Sequence, residues 1–114
     1  MDNKQDILKK TAKEYYDSGV DELVKNRNNS AVVLFFKTVV ALVDLYLLIH
    51  LGKTPSSHNE RFLLTRENFS SIYEILDKDF PFYQSSYNIQ MSKELAEVIK
   101  EDAEEIARKI GFKI

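Results

Sequence analysis

The chain has 114 residues, of which 30% are charged and 44% hydrophobic, with 3 glycines, 2 prolines and a formal net charge of −2. It has no cysteine, which excludes a disulfide framework, a thiolate metal site and a cysteine nucleophile, and so few glycines exclude a glycine-rich phosphate cradle. A mildly acidic chain also lacks the overall basic footprint of a non-specific nucleic-acid binder, leaving only a local basic patch for such a ligand.

From Asp2 to about Asn26, Leu8, Ala12, Tyr15, Tyr16, Val20, Leu23 and Val24 recur at intervals of three and four, the period of an amphipathic helix. Gly19 falls inside this run and costs about 1 kcal/mol relative to alanine, so the helix is expected to continue but to be weakest there. The polar cluster at 26–30 predicts a tight turn, with Ser30 or Asn29 capping the next helix. Two helices joined so closely form an antiparallel hairpin.

The second helix, Ala31 to Leu51, is interrupted only by Lys37, Thr38, Asp44 and His50. A helix apolar on nearly all sides either spans a membrane or forms the central rod of a bundle. Lys37 and Asp44 would each cost roughly 2.5–3.5 kcal/mol near a bilayer centre, which favours the rod. The opening MDNKQDILKK has no basic n-region followed by a cleavage site, so the expectation is a cytoplasmic protein with no membrane association.

Gly52 suits a left-handed cap at the end of this helix, and Pro55 prevents its resumption. Ser57 and Glu60 have capping-box spacing, predicting a short third helix from about His58 that carries Arg61, Phe62, Leu63 and Leu64. A break is expected between Glu67 and Phe69. Beyond it Phe69, Ile72, Tyr73, Leu76, Phe80, Tyr83 and Tyr87 keep helical spacing through Pro81, as one kinked helix or as two shorter ones meeting at Asp79. Ser92 caps a last helix with the stripe Leu95, Val98, Ile99, Ala103, Ile106, Ala107 and Ile110, which Gly111 stops. These elements describe an all-α, up-and-down four-helix bundle with one short extra helix, in a single domain over residues 1–114.

Few residues carry chemistry. His58, Glu60 and Arg61 share the start of the third helix, where an imidazole could move a proton and a guanidinium one turn on could hold a phosphate. The alternative is a loop anchor, with Glu60 closing the capping box and Arg61 paired to a carboxylate. Lys37 and Asp44, two turns apart on one helix face, read either as a polar ligand pocket or as an internal pair that sets helix register. His50 reads as a partner for the helix C-terminal dipole. The aromatic residues Tyr73, Phe80, Phe82, Tyr83 and Tyr87 read mainly as packing, with base stacking as the functional alternative, and the run 101–109 as a solvated acidic face. The two histidines stand on different elements without a supporting carboxylate set, so no metal site is expected, and nothing calls for a cofactor.

The order of these features resembles the HEPN superfamily of small helical bundles: an amphipathic first helix, a very apolar second helix ending in Gly52, the P-x-x-H loop Pro55-Ser56-Ser57-His58, and a short leucine-bearing helix. The tyrosine-rich stretch at 82–88 adds to the likeness. The resemblance implies one of two subgroups. Toxin members are metal-independent RNases marked by an arginine and a following histidine with four to six residues between them. Neither His50 nor His58 has an arginine at that spacing, and Lys53, five positions before His58, lacks the planar bidentate fork of arginine. The other subgroup accompanies nucleotidyltransferases or acts by binding alone. The expectation is therefore a non-catalytic, homodimeric interaction or nucleotide-binding module using Lys37, Asp44, His58, Glu60 and Arg61, with a nucleotidyltransferase as partner. The alternative is a diverged RNA endonuclease relying on His58, Arg61 and Lys53.

Overall fold

The computed structural model describes residues 3–114, and the regular structure of these residues is entirely helical: α1 (Lys4–Val24), α2 (Asn28–Leu51), α3 (His58–Asn68), α4 (Ser70–Ser85) and α5 (Lys93–Ile110). Asn3 caps α1 by accepting from the Asp6 N–H, so the expected start at Asp2 lies outside the described residues. The fold is all-α, as the periodicity predicts.

Contacts between α1 and α2 run in opposite senses along the two helices. Gly19 and Tyr16 meet Phe35, Tyr15 meets Lys37, and Leu8 faces the Asp44 level, as an antiparallel hairpin requires. Gly19 has a packing reason: a Cβ there would lie 2.6 Å from Phe35 Cε1 and 2.8 Å from Cδ1. The helix passes through Gly19 without a break because the missing side chain lets a fully buried aromatic ring approach the backbone.

The cap expected for α2 is not the one observed. The helix starts at Asn28, two residues or more before either expected cap would place it, and its N-cap is Arg27 with no side-chain bond. Asn29 instead serves a segment distant in sequence, the turn between α4 and α5. Its Nδ2 donates to the Ser86 and Ile89 carbonyls at 2.8 and 2.7 Å, and its Oδ1 accepts from the Met91 N–H at 2.9 Å. Tertiary demand on this amide has overridden its local capping preference.

α2 is the rod around which the other helices pack. Val32, Phe35, Val39, Leu42, Val43, Leu45 and Leu47 are fully buried, and Phe36 nearly so. By length and composition α2 could cross a membrane, yet 56% of its most apolar window is covered by the chain's own helices. It ends at Gly52, in the left-handed region at φ 76°, as expected.

α3 and α4 meet at Phe69, whose non-helical backbone (φ −142°, ψ 76°) ends one helix and precedes the other, at the end of the predicted break. α4 then runs unbroken through Pro81 to Ser85, so it is one helix and Tyr87 falls in the following turn. α5 is capped by Ser92 and stopped by Gly111 at φ 80°, both as predicted. Its acidic run is not wholly solvated, however. Asp102 is buried, and Glu104 accepts from the Tyr16 hydroxyl and, at 2.9 Å, from Lys100. Burial first, then the hydrogen bond and charge of Glu104, raise the Tyr16 hydroxyl pKa against an opposing effect of Lys100, while desolvation of Glu104 is outweighed by the Tyr16 and Lys100 hydrogen bonds and the basic charges beside it, which hold its pKa down.

Candidate functional site

The site grows from the chain reversal after α2. Ser57 is extended, and its hydroxyl accepts from the Glu60 N–H at 3.1 Å, which starts α3 at His58. The Glu60 carboxylate accepts from the Ser56 hydroxyl at 3.1 Å and so ties the loop to the first helical turn. One turn apart on α3, His58 and Arg61 share a face. Across from them stands Asp44 of α2.

Arg61 and Asp44 form a two-pronged pair: Nε donates to Oδ1 at 2.7 Å and Nη2 to Oδ2 at 3.0 Å. Their side chains are only 10% and 14% exposed, which makes the pair an internal tie between α2 and α3 and strengthens each hydrogen bond by excluding water. Arg61 Nη1 lies 2.9 Å from His58 Nδ1. A guanidinium can only donate, so Nδ1 is the acceptor and the neutral ring carries its proton on Nε2. Burial and then the Arg61 charge lower the His58 pKa from 6.5, against an opposing pull from Asp44, so the ring is neutral at pH 7. Phe80 of α4 packs against the imidazole at 5.4 Å between centroids.

These groups line a cavity of about 510 Å³ between α1, α2, the Pro55–Ser57 loop, α3 and the end of α4. Tyr15, Phe36 and Tyr83 supply its aromatic wall, with Phe36 and Tyr83 stacked at 4.8 Å. Lys37 also borders it, with Nζ 5.8 Å above the Tyr15 ring.

Four of the five expected ligand residues, Lys37, Asp44, His58 and Arg61, therefore border one space. Glu60 does not, because its carboxylate is turned to Ser56. Lys37 and Asp44 do not pair with each other: Arg61 takes the carboxylate, and Lys37 is exposed over Tyr15. Lys53 is exposed and lies outside the cavity wall. His50, in the last turn of α2, also lies outside it, its ring packed at a tilt 4.3 Å from Tyr46 and 5.5 Å from Phe69. Of the aromatic set, Phe80 and Tyr83 pack inward, whereas Phe82 and Tyr87 are exposed.

Sequence reasoning missed Tyr15 and Phe36 as walls, since helical spacing marks them only as apolar. It also missed a second polar pair, Asp79 of α4 and Asp102 of α5, for which a signal exists. Asp79 sits four residues after Ile75 and Asp102 three after Ile99, so each carboxylate occupies a core position of its stripe.

Chemically, the cavity offers one uncommitted cation, Lys37, one neutral N–H donor, His58 Nε2, and aromatic faces. Arg61 is committed: three of its N–H groups are engaged, and Asp44 balances its charge. No cluster of three or more histidine, aspartate or glutamate side chains is placed to hold a metal among the described residues. Compared with family models, with curated proteins and with solved structures, the chain matches none.

Proposed function

We propose that this chain is a HEPN-like four-helix bundle with one short extra helix, and that it acts in the cytoplasm as a non-catalytic module binding a nucleotide-type ligand. The observation that carries this reading is the meeting of Lys37, His58 and the Tyr15–Phe36–Tyr83 wall around one cavity. A ring with an attached anion fits those groups: aromatic faces for the ring, Lys37 for the charge and His58 Nε2–H for an oxygen. The pairing of Arg61 with Asp44 supports a binding role over catalysis, because Asp44 already occupies the Nε–Nη2 fork of the guanidinium and balances its charge.

Homodimerisation and a nucleotidyltransferase partner belong to the same proposal. Much of the apolar surface of α2 is used within the chain, so a dimer would draw on what remains, including Ile49 at 42% exposure. Calorimetric titration with AMP and ADP, alongside light scattering, tests both parts. Binding that Lys37→Ala or His58→Ala weakens supports the module, and absence of binding to a folded dimer removes the nucleotide reading. The RNase alternative draws on one contact, Arg61 Nη1 to His58 Nδ1, which joins an arginine and a histidine without the expected sequence spacing. RNA cleavage with metals chelated, abolished in His58→Ala, would replace the binding reading with that one.

A further inference from the structure

On the side of α4 that faces α5, Asp79 is fully buried. No N–H or O–H donor reaches either of its carboxylate oxygens, although a buried carboxylate normally gathers several. The side chain that faces it is another carboxyl group, Asp102 of α5, itself buried and with its Oδ2 likewise lacking a hydrogen-bond partner. Two facing carboxylates can share a hydrogen bond only if one carries a proton, and burial together with the like charge of the neighbour opposes the ionisation of both.

The surrounding charges do not relieve the pair. Lys78 Nζ lies 2.9 Å from Asp102 Oδ2, a contact ion pair whose angle is poor for a hydrogen bond, and its side chain is half exposed. Lys78 balances Asp102 and leaves Asp79 without a cation of its own. Glu74 and Glu105 border the adjoining recess and add negative charge. The side chains that α2 and α3 bring to α4 include the apolar rings Phe36 and Phe62. Burial first, then the hydrogen bond and charge of Asp102, raise the Asp79 pKa to about 8 against a smaller opposing effect of Lys78.

We propose that the proton shared by Asp79 and Asp102 is a latch that fastens α4 to α5, and that its loss to solvent loosens α4 and with it one wall of the cavity. The link to the cavity is short. Phe80 follows Asp79 in sequence and packs on His58, and Tyr83, one turn further, borders the cavity and stacks on Phe36. The regulatory half rests on the cavity being the functional site; the latch itself does not.

Amide hydrogen exchange on the intact chain across pH 5–9.5, corrected for intrinsic rates, tests the latch. The raised value means that native Asp79 holds its proton where the opened state has lost it. Opening of α4 should therefore grow by up to tenfold per pH unit from above about pH 4 until pH passes about 8, then level off. Asp79→Asn, which keeps the shape and can donate to Asp102, should remove that slope. An equal slope in the variant, or none in the wild type, overturns the latch. Should the variant fail to fold, carboxyl carbon shifts of wild-type Asp79 decide instead: a midpoint near 8 supports the latch and one near 4 overturns it. Side-chain signals of Tyr83 that follow the α4 transition support the link to the cavity, and signals that ignore it overturn that half. Nucleotide titration is read separately, so failure of the binding proposal leaves the exchange result standing.

Discussion

Arg61 reaches from the first turn of α3 to the middle of α2 and grips both oxygens of Asp44, at 2.7 and 3.0 Å, while its remaining arm holds His58. This tie fixes where the 52–57 loop can lie. Removing only the carboxylate leaves a nearly buried cation without its counter-ion, so Asp44→Ala should destabilise the fold by about 3–5 kcal/mol. Asp44→Leu combined with Arg61→Met removes both charges and keeps apolar volume, and should recover most of that loss. Urea denaturation of the wild type, both single variants and the double variant measures the coupling. A double variant as unstable as the sum of the singles would show that the pair does not act as a unit.

The same contact sets the titration of His58. Burial is the larger cause of its lowered pKa and Arg61 the second, while Asp44 pulls the other way. Arg61→Gln should therefore raise the midpoint toward 6.5, and Asp44→Asn should lower it further, as read from the ring Cε1–H signals. A His held neutral in the folded state contributes stability that is present above the unfolded value of 6.5 and is lost as pH falls through the folded one. Acid should thus loosen the loop before the rest of the chain, and His58→Gln should blunt that dependence. Equal midpoints in the two charge variants would count against the Arg61–His58 contact.

Gly19 presents a conflict between local and tertiary preference. Alanine would gain about 1 kcal/mol of helix propensity in α1. It would also drive a methyl group to within 2.6 Å of a fully buried Phe35 ring that α2 cannot easily release, and overpacking of this kind costs about 1–3 kcal/mol. Gly19→Ala should accordingly lower the thermal midpoint. In a Phe35→Leu background the same substitution should cost less, since the ring atoms that clash are then gone. A stabilised single variant would show that α1 and α2 separate with little cost.

Much of the helical layout was legible because its signals are local. Ser57, Ser92, Gly52 and Gly111 mark helix ends where their backbone chemistry dictates, and Ile99, Ala103, Ile106 and Ala107 of the α5 stripe lie buried, whereas Leu95 and Ile110 are half-buried and Val98 is exposed. The site was legible in part for the same reason: His58 and Arg61 are neighbours on one helical turn. That Arg61 would choose Asp44 over Glu60, and that Lys37 would be left to Tyr15, depends on how α3 folds back on α2, which sequence spacing does not contain. Asn29 and the Asp79–Asp102 pair were misread through the opposite error. Polar residues beside a turn or within a charged run look solvated until the helix across from them is placed.

Asn29 provides the sharpest test of that tertiary demand. Its amide satisfies two carbonyls and one N–H of the turn between α4 and α5, so Asn29→Ala leaves three backbone groups without this partner, two of those bonds being partly buried. A loss of about 1–3 kcal/mol follows, together with faster amide exchange at Met91. Asn29→Asp separates this role from helix capping. Aspartate caps a helix as well as asparagine does, so a capping role would leave stability unchanged. Here the carboxylate would still accept from Met91 but would turn a second oxygen toward the Ser86 and Ile89 carbonyls, where only a donor fits. Chemical denaturation should find Asn29→Asp at least as damaging as Asn29→Ala, and a variant as stable as the wild type would mean that the amide does not bind the turn.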